Sequence, residues 1–268
     1  MNDLSSLFIE PSGDEKYYPA PEISRFPVWS GWDVVFLAFF SAFGGFILAA
    51  VGEAVKHLAQ SQLKSLRFLL HPSHEGVYLI LFQSAFDCMI LLFIFSTIRL
   101  KYNAPFWKSI KWQPKTNTPL AGLLVMGILL AIAVVVASSL FPSSNEPPLE
   151  KILKVRLAAI LFAGLGVFIA PFVEELAFRG FLYPVLERRW GRAFAVISTA
   201  LLFSGVHLSQ LWGSWPAILL ITVVGFTLSL VRARTDALLP SFVVHLTYNS
   251  TICAMFLIGF LFQADPKN

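Results

Sequence analysis

Apolar residues in this chain run in long uninterrupted blocks rather than at amphipathic helix or strand periods. Seven blocks stand out, near Asp33–Val51, Val77–Ile98, Pro119–Leu140, Leu157–Phe178, Ala193–Leu211, Pro216–Val231 and Ala237–Phe262. Most reach the roughly 18 or more residues that a helix needs to cross hydrocarbon. Lipid offers no hydrogen bonds, so only a helix satisfies the backbone of such a block from within. The pattern predicts an all-α fold, a polytopic transmembrane bundle of about seven or eight helices. The eighth would lie in Glu53–His74, where Lys56, Lys64 and Arg67 are set against Leu58, Leu63, Leu66 and Leu69. That mixture reads as an amphipathic interfacial segment.

The breaks give the organisation. Residues 1–32 are polar and punctuated by Pro11, Pro19, Pro21 and Pro27, and read as a cytoplasmic tail without a cleavable signal peptide. Residues 33–156 hold the front crossings and the interfacial segment, 157–262 the back crossings, and 263–268 a short tail. The run Phe141–Pro148 separates front from back.

Composition agrees with a lipid solvent: 56% of residues are hydrophobic and 13% charged. A net charge of +4 would suit nucleic acid, but the basic residues sit in loops beside the apolar blocks. Alternate connections, counted from the amino-terminal tail, carry 13 of the 20 Lys and Arg, which predicts a cytoplasmic amino terminus. No nucleic-acid partner is expected. Cys88 and Cys253 lie in apolar blocks without metal spacing and read as packing residues. Glycines 44, 45, 122, 127, 164 and 166 suit close helix approach. The seven tryptophans fall where an interfacial aromatic belt belongs.

Nearly all intramembrane polarity is in the back blocks. Ionisable groups there cost about 2.5–3.5 kcal/mol each on insertion scales, so a cluster of them points to function. Glu175 and Arg179 are four apart and can neutralise each other as a structural pair. Glu174, rotated by about 100° from Glu175, is free to face elsewhere. His207 lies across a charged turn centred near Trp190; both it and Glu174 are about 25 Å of helix from that turn, hence at one depth in an antiparallel hairpin. His245 and Asn249, four apart on the last block, form a third polar face at similar depth. Gln83 and Asp87 are four apart in the second block and read as packing or cavity residues.

A carboxylate and an imidazole can take a proton from water, while a second imidazole and an amide can stabilise the oxyanion of an attacked carbonyl. That combination is what peptide hydrolysis requires. Glu174, His207 and His245 are also a three-ligand set for a catalytic Zn2+, so metal-free and metal-assisted hydrolysis both remain open on residue types alone. There is no HExxH, no pair of membrane aspartates, and Ser204-Gly205 lacks the context of a serine nucleophile.

Glu174-Glu175-Leu176-Ala177-Phe178-Arg179 fits EExxxR, Phe203–His207 fits FxxxH, and His245–Asn249 fits HxxxN, in that order. Over about Leu157–Met255 the chain resembles the CPBP family of CAAX prenyl endopeptidases and bacteriocin-processing or immunity proteins of the Abi type. The resemblance implies a membrane endopeptidase in which Glu174 and His207 activate water, His245 and Asn249 hold the oxyanion, and Glu175 with Arg179 brace the helix. It implies a peptide or lipidated protein substrate, of prenylated CAAX or leader-peptide type. The chain's setting is expected to be a prokaryotic plasma membrane. The rival reading is a non-catalytic membrane protein that binds a peptide or confers bacteriocin immunity.

Overall fold

A computed structural model describes residues 26–61, 75–114, 118–141, 160–161 and 163–263. Among these, all regular structure is helical. The helices are α1 (Gly31–Ser61), α2 (Glu75–Ser96), α3 (Phe106–Ser109), α4 (Leu120–Leu140), α5 (Ala170–Glu175), α6 (Tyr183–Trp190), α7 (Arg192–Val206), α8 (Trp215–Thr235) and α9 (Leu238–Gln263). Five helical spans are long and apolar enough to cross a membrane, within α1, α2 with its extension to Lys101, α4, α8 and α9. The chain is a multi-pass membrane protein. Side chains such as Phe39, Phe43, Leu129 and Leu219 stand on the outside of the bundle, where lipid rather than water is the solvent.

The fourth expected crossing is built differently from the others. Residues 151–159 and 162 lie outside the described residues, and from Leu165 the helix alternates between α and π geometry. One π segment, Leu165–Ile169, ends just before Pro171, and another, Leu176–Leu182, ends just before Pro184. A proline ring has no N–H and clashes with the carbonyl four residues back, so a widened turn ahead of it relieves both problems. α5, the short α-helix between them, carries Glu174 and Glu175.

Three other differences from expectation have clear causes. α1 continues through Glu53 to Ser61, with Lys56 paired to Glu53, so the first part of the interfacial segment is an extension of the first helix. The remainder, 62–74, lies outside the described residues. α7 stops at Val206 instead of reaching Leu211, and the chain turns through His207–Gly213. Trp29 is fully buried rather than interfacial: its Nε1 donates to Phe181 O at 2.8 Å, and its ring stacks on Phe181 at 4.8 Å. Arg188 fastens the same stretch by donating to Pro27 O and Trp29 O.

Front and back helices share one bundle. α4 packs on α9 and α8, and α2 packs on α5. At Gly127 the approach of α9 is so close that an added Cβ would lie 2.7 Å from Val244 O. A similar contact joins α7 and α8, where a Cβ on Gly225 would meet Ala200 O at 3.2 Å. Small residues at these positions are what permit the backbones to approach.

Candidate active site

Three elements deliver the polar side chains. α5 brings Glu174 and Glu175, the end of α7 brings His207, and α9 brings His245 and Asn249. α6 and α7 form the expected antiparallel hairpin, reversing at Gly191, whose φ of +83° is a left-handed conformation that glycine adopts without a Cβ penalty. This register brings Glu174 and His207 together: Glu174 Oε1 is 4.0 Å from His207 Nε2. The other oxygen, Oε2, is 3.7 Å from His245 Nε2. Both gaps exceed a direct hydrogen bond but fit a bridging water.

Each imidazole is oriented through its far nitrogen. His207 Nδ1 lies 2.8 Å from Phe203 O, and a carbonyl only accepts, so Nδ1 carries a proton. His245 Nδ1 lies 3.1 Å from Glu175 Oε1 and donates to it in the same way. In both rings Nε2 is therefore the atom directed toward Glu174. A carboxylate that orients a histidine through Nδ1 while Nε2 works is a recurring arrangement in hydrolytic sites.

Glu175 has a second partner. Arg179 Nη1 donates to its Oε1 at 3.0 Å, and both side chains are essentially without exposure. A guanidinium has five N–H donors, and one carboxylate oxygen does not satisfy them. Arg179 also donates through Nη2 to Gly225 O at 2.8 Å and through Nε to Ser229 Oγ at 3.3 Å, both on α8. Its guanidinium lies 4.5 Å above the Phe203 ring. Phe203 touches His207 and His245 as well, with ring centroids at 4.8 and 6.0 Å. The Phe of FxxxH is thus the apolar wall against which both imidazoles and the arginine are set.

Asn249 stands one helical turn beyond His245. Its Nδ2 donates to Gly166 O at 2.7 Å, in the π segment ahead of α5, which leaves one amide hydrogen and the carbonyl oxygen for other partners. The burial gradient separates the roles: Glu175 and His245 side chains are 1% and 4% exposed, whereas Glu174 and His207 are 28% and 18% exposed. The pair that can reach a substrate is the more open one.

The zinc set read from the sequence is not assembled. A zinc ion needs one point within about 2.0–2.2 Å of all its nitrogen and oxygen donors. Here the two Nε2 atoms face opposite oxygens of one carboxylate. Among the described residues no three His, Cys, Asp or Glu side chains form a group able to hold a metal ion.

Residues 156–251 match the Rce1-like family model, described as type II CAAX prenyl endopeptidase Rce1-like. The matched segment contains all seven motif residues and coincides, within a few positions, with the stretch that resembles the CPBP family. It supports membrane proteolysis of the CAAX type as the general activity, with a peptide substrate. No curated protein and no solved structure matches the chain.

Sequence reasoning missed Gly225 and Ser229, the contacts of Phe203, and the bond between His245 and Glu175. The signal for the first two was the donor count of a buried arginine. The His245–Glu175 bond had no linear signal, because it joins side chains 70 positions apart.

Proposed function

We propose that the chain is an intramembrane endopeptidase in which Glu174 and His207 activate a water molecule. The observation that carries this reading is the placement of the half-open Glu174 carboxylate between two imidazole Nε2 atoms at 4.0 and 3.7 Å, each imidazole oriented from behind. A water seated between Glu174 and His207 donates one hydrogen to Oε1 and the other to Nε2. As it attacks the scissile carbonyl carbon, one proton passes to this pair and the carbonyl becomes an oxyanion.

His245, when it carries both ring protons, and the remaining N–H of Asn249 donate to that oxyanion. Arg179, Glu175, His245 and Glu174 then alternate in charge, which keeps the site neutral as a whole in a medium where net charge is costly. Collapse of the tetrahedral adduct breaks the C–N bond, and the leaving amine takes the proton held by Glu174 and His207. The immediate products are a carboxylic acid and an amine, and the proton of the acid passes to the amine to give a carboxylate and an ammonium group. Glu175 and Arg179 touch neither water nor peptide; they position His245 and tie α5 to α8.

For the substrate, we infer an extended peptide segment presented at the membrane, of prenylated CAAX or leader-peptide type, entering from the cytoplasmic leaflet of a prokaryotic plasma membrane. The basic excess of the alternate loops supports that orientation. The test is cleavage of a farnesylated CAAX peptide and a leader peptide by the purified protein, with Glu174→Gln and His207→Ala beside it. Loss of cleavage in both variants with the fold intact is the expected result. Undiminished cleavage in either removes that residue from the mechanism, and a phenotype in cells that survives both substitutions would favour the binding or immunity reading.

A further inference from the structure

At one end of the bundle, beyond the spanning helices, lies a cavity of about 1180 Å³. Its wall comes from three connections: Phe26 and Val28 ahead of α1, residues of 103–113 around α3, and Asp236 between α8 and α9. None of these residues belongs to a membrane-crossing span, and the spans ending at Lys101 and Thr235 stop beside them. The cavity therefore stands at the level of the lipid headgroups, just outside the hydrocarbon. Trp107, exposed on its rim, is placed as an interfacial tryptophan should be.

The fold itself holds this wall in shape. The N–H groups of Leu238 and Leu239, which have no acceptor within α9, donate to Lys111 O at 2.8 Å and Trp112 O at 2.9 Å. Among the described residues three other than glycine have a left-handed φ: Asn103 at +47°, Lys111 at +50° and Asp236 at +50°. All three line this cavity. Asparagine and aspartate tolerate that conformation, whereas lysine adopts it rarely. Backbone of this kind collects where a ligand is gripped, because only the surrounding structure keeps it there. Trp112 joins the cavity to the helices of the candidate active site. Its ring packs on Phe172 at 5.9 Å and on Phe242 at 5.6 Å, residues just ahead of Glu174 and His245.

Charge identifies the occupant. The charged side chains that line the cavity, among the described residues, are Lys108, Lys111 and Asp236, a balance of +1. Lys111 Nζ donates to both Asp236 oxygens, at 2.7 and 2.8 Å, and lies 3.9 Å over the Phe26 ring. Lys108 is exposed and forms no ion pair among the described residues. One cation is thus neutralised and one is left over, so a ligand with a single negative charge brings the cavity to neutrality. At headgroup level the abundant group of that charge is the phosphodiester of an anionic phospholipid; a choline headgroup cancels its own phosphate. Basic pockets at the ends of spanning helices hold anionic headgroups for this reason. We propose that the cavity binds the headgroup of an anionic phospholipid, with its phosphate at the Lys108 and Lys111 ammonium groups and its glycerol portion against Trp107 and Trp112. This site does not depend on the hydrolytic reading given above.

Native mass spectrometry of the full-length protein in detergent, titrated with phosphatidylglycerol or phosphatidylcholine, counts the bound lipids directly. Phosphatidylglycerol should bind first and more tightly. Lys108→Gln should weaken its binding by about 5-fold, the effect of one lysine near an anionic headgroup, and the charge reversal Lys108→Glu should weaken it further. Arg189→Gln is the control, because it removes an exposed charge outside the cavity, next to the Arg188 that holds Pro27 O, and should leave the affinity nearly unchanged. Equal losses in Lys108→Gln and Arg189→Gln would mean general attraction rather than a site, and overturn the proposal. Equal affinity for the two lipids overturns it as well. Competition then separates the sources of negative charge. Bound phosphatidylglycerol should withstand inorganic phosphate and an acidic peptide, each at the concentration of the lipid. Displacement by phosphate would assign the cavity to a free anion and displacement by the peptide to a protein ligand, and either result removes lipid as its occupant.

Discussion

Glu174 and Glu175 are consecutive residues on one turn of helix, and they occupy opposite environments. Glu175 is sealed, with Oε1 shared between Arg179 at 3.0 Å and His245 at 3.1 Å. Glu174 has no hydrogen bond as short as those, faces two imidazoles across water-sized gaps, and is 28% exposed. The difference arises from rotation around the helix: Glu175 turns to Arg179 and to the buried Nδ1 side of His245, and Glu174 turns to His245 Nε2 and to His207 at the open end of α7. A buried carboxylate shared between an arginine and a histidine is a structural element, whereas one held loosely beside oriented bases is available for chemistry.

The largest effect that sharpens this contrast is expected at Glu174. Replacing it by Gln keeps size and polarity but removes the base, and should cut turnover by about 10²–10⁴. The unfolding midpoint of the same protein should stay near that of wild type, because no short bond is broken. A thermal scan and a single-turnover cleavage assay on one preparation check both halves.

At Glu175 the balance should reverse. Glu175→Ala leaves the Arg179 guanidinium buried with its charge uncompensated, which typically costs about 3–5 kcal/mol. Reduced yield and a lowered unfolding transition are expected, and activity should fall as well because His245 loses the acceptor on Nδ1. A Glu175→Ala protein as stable as wild type would break the comparison. Combining it with Arg179→Met should restore part of the stability, since a paired removal leaves no orphan charge.

A smaller effect tests the wall behind both carboxylates. Gly225→Ala would place a Cβ 3.0 Å from the Phe203 ring and 3.2 Å from Ala200 O. Overpacking of that kind costs about 1–3 kcal/mol. Because Phe203 buttresses both imidazoles, the stability loss should be accompanied by lower kcat rather than weaker substrate binding, a split that steady-state kinetics resolves.

Helical arithmetic made much of this site legible in advance. The Glu175–Arg179 pair followed from a spacing of four, and the hairpin register that joins Glu174 to His207 followed from equal distances to one turn. Those inferences needed only rise per residue and a turn position. What they did not reach depended on contacts between elements distant in sequence, such as His245 with Glu175 and Arg179 with α8. The 100° rotation between the two glutamates predicts separate neighbours, yet both meet one imidazole, on its opposite nitrogens. The π segments were also illegible as such, although their cause, a proline just beyond each, was in plain view. Trp29 resembled any interfacial tryptophan until Phe181 and Arg188 were seen to hold the segment that carries it.

The smallest predicted effect lies at the bundle's end, where an ionic contact resembles the Glu175 pair but is open to solvent. Asp236 joins α8 to α9 and accepts from Lys111 Nζ at 2.7 Å, with Arg232 at 3.4 Å. Burial pushes its carboxyl up, but the hydrogen bond and charge of Lys111, reinforced by Arg232, outweigh it and hold the group below its ordinary 3.8. A carboxyl depressed on folding contributes stability that is present above the unfolded value and is lost as the pH falls through the folded one. The contribution should therefore vanish only in acid, below about pH 4. With 38% of the side chain exposed, solvent screening limits it to at most about 1 kcal/mol. Asp236→Asn isolates the charge, because the residue has φ of +50° and asparagine tolerates that left-handed conformation as well as aspartate does. Its unfolding midpoint should be slightly below wild type at neutral pH and should converge with it in acid. Equal separation of the two curves at every pH would show that backbone shape, and not charge, holds this corner.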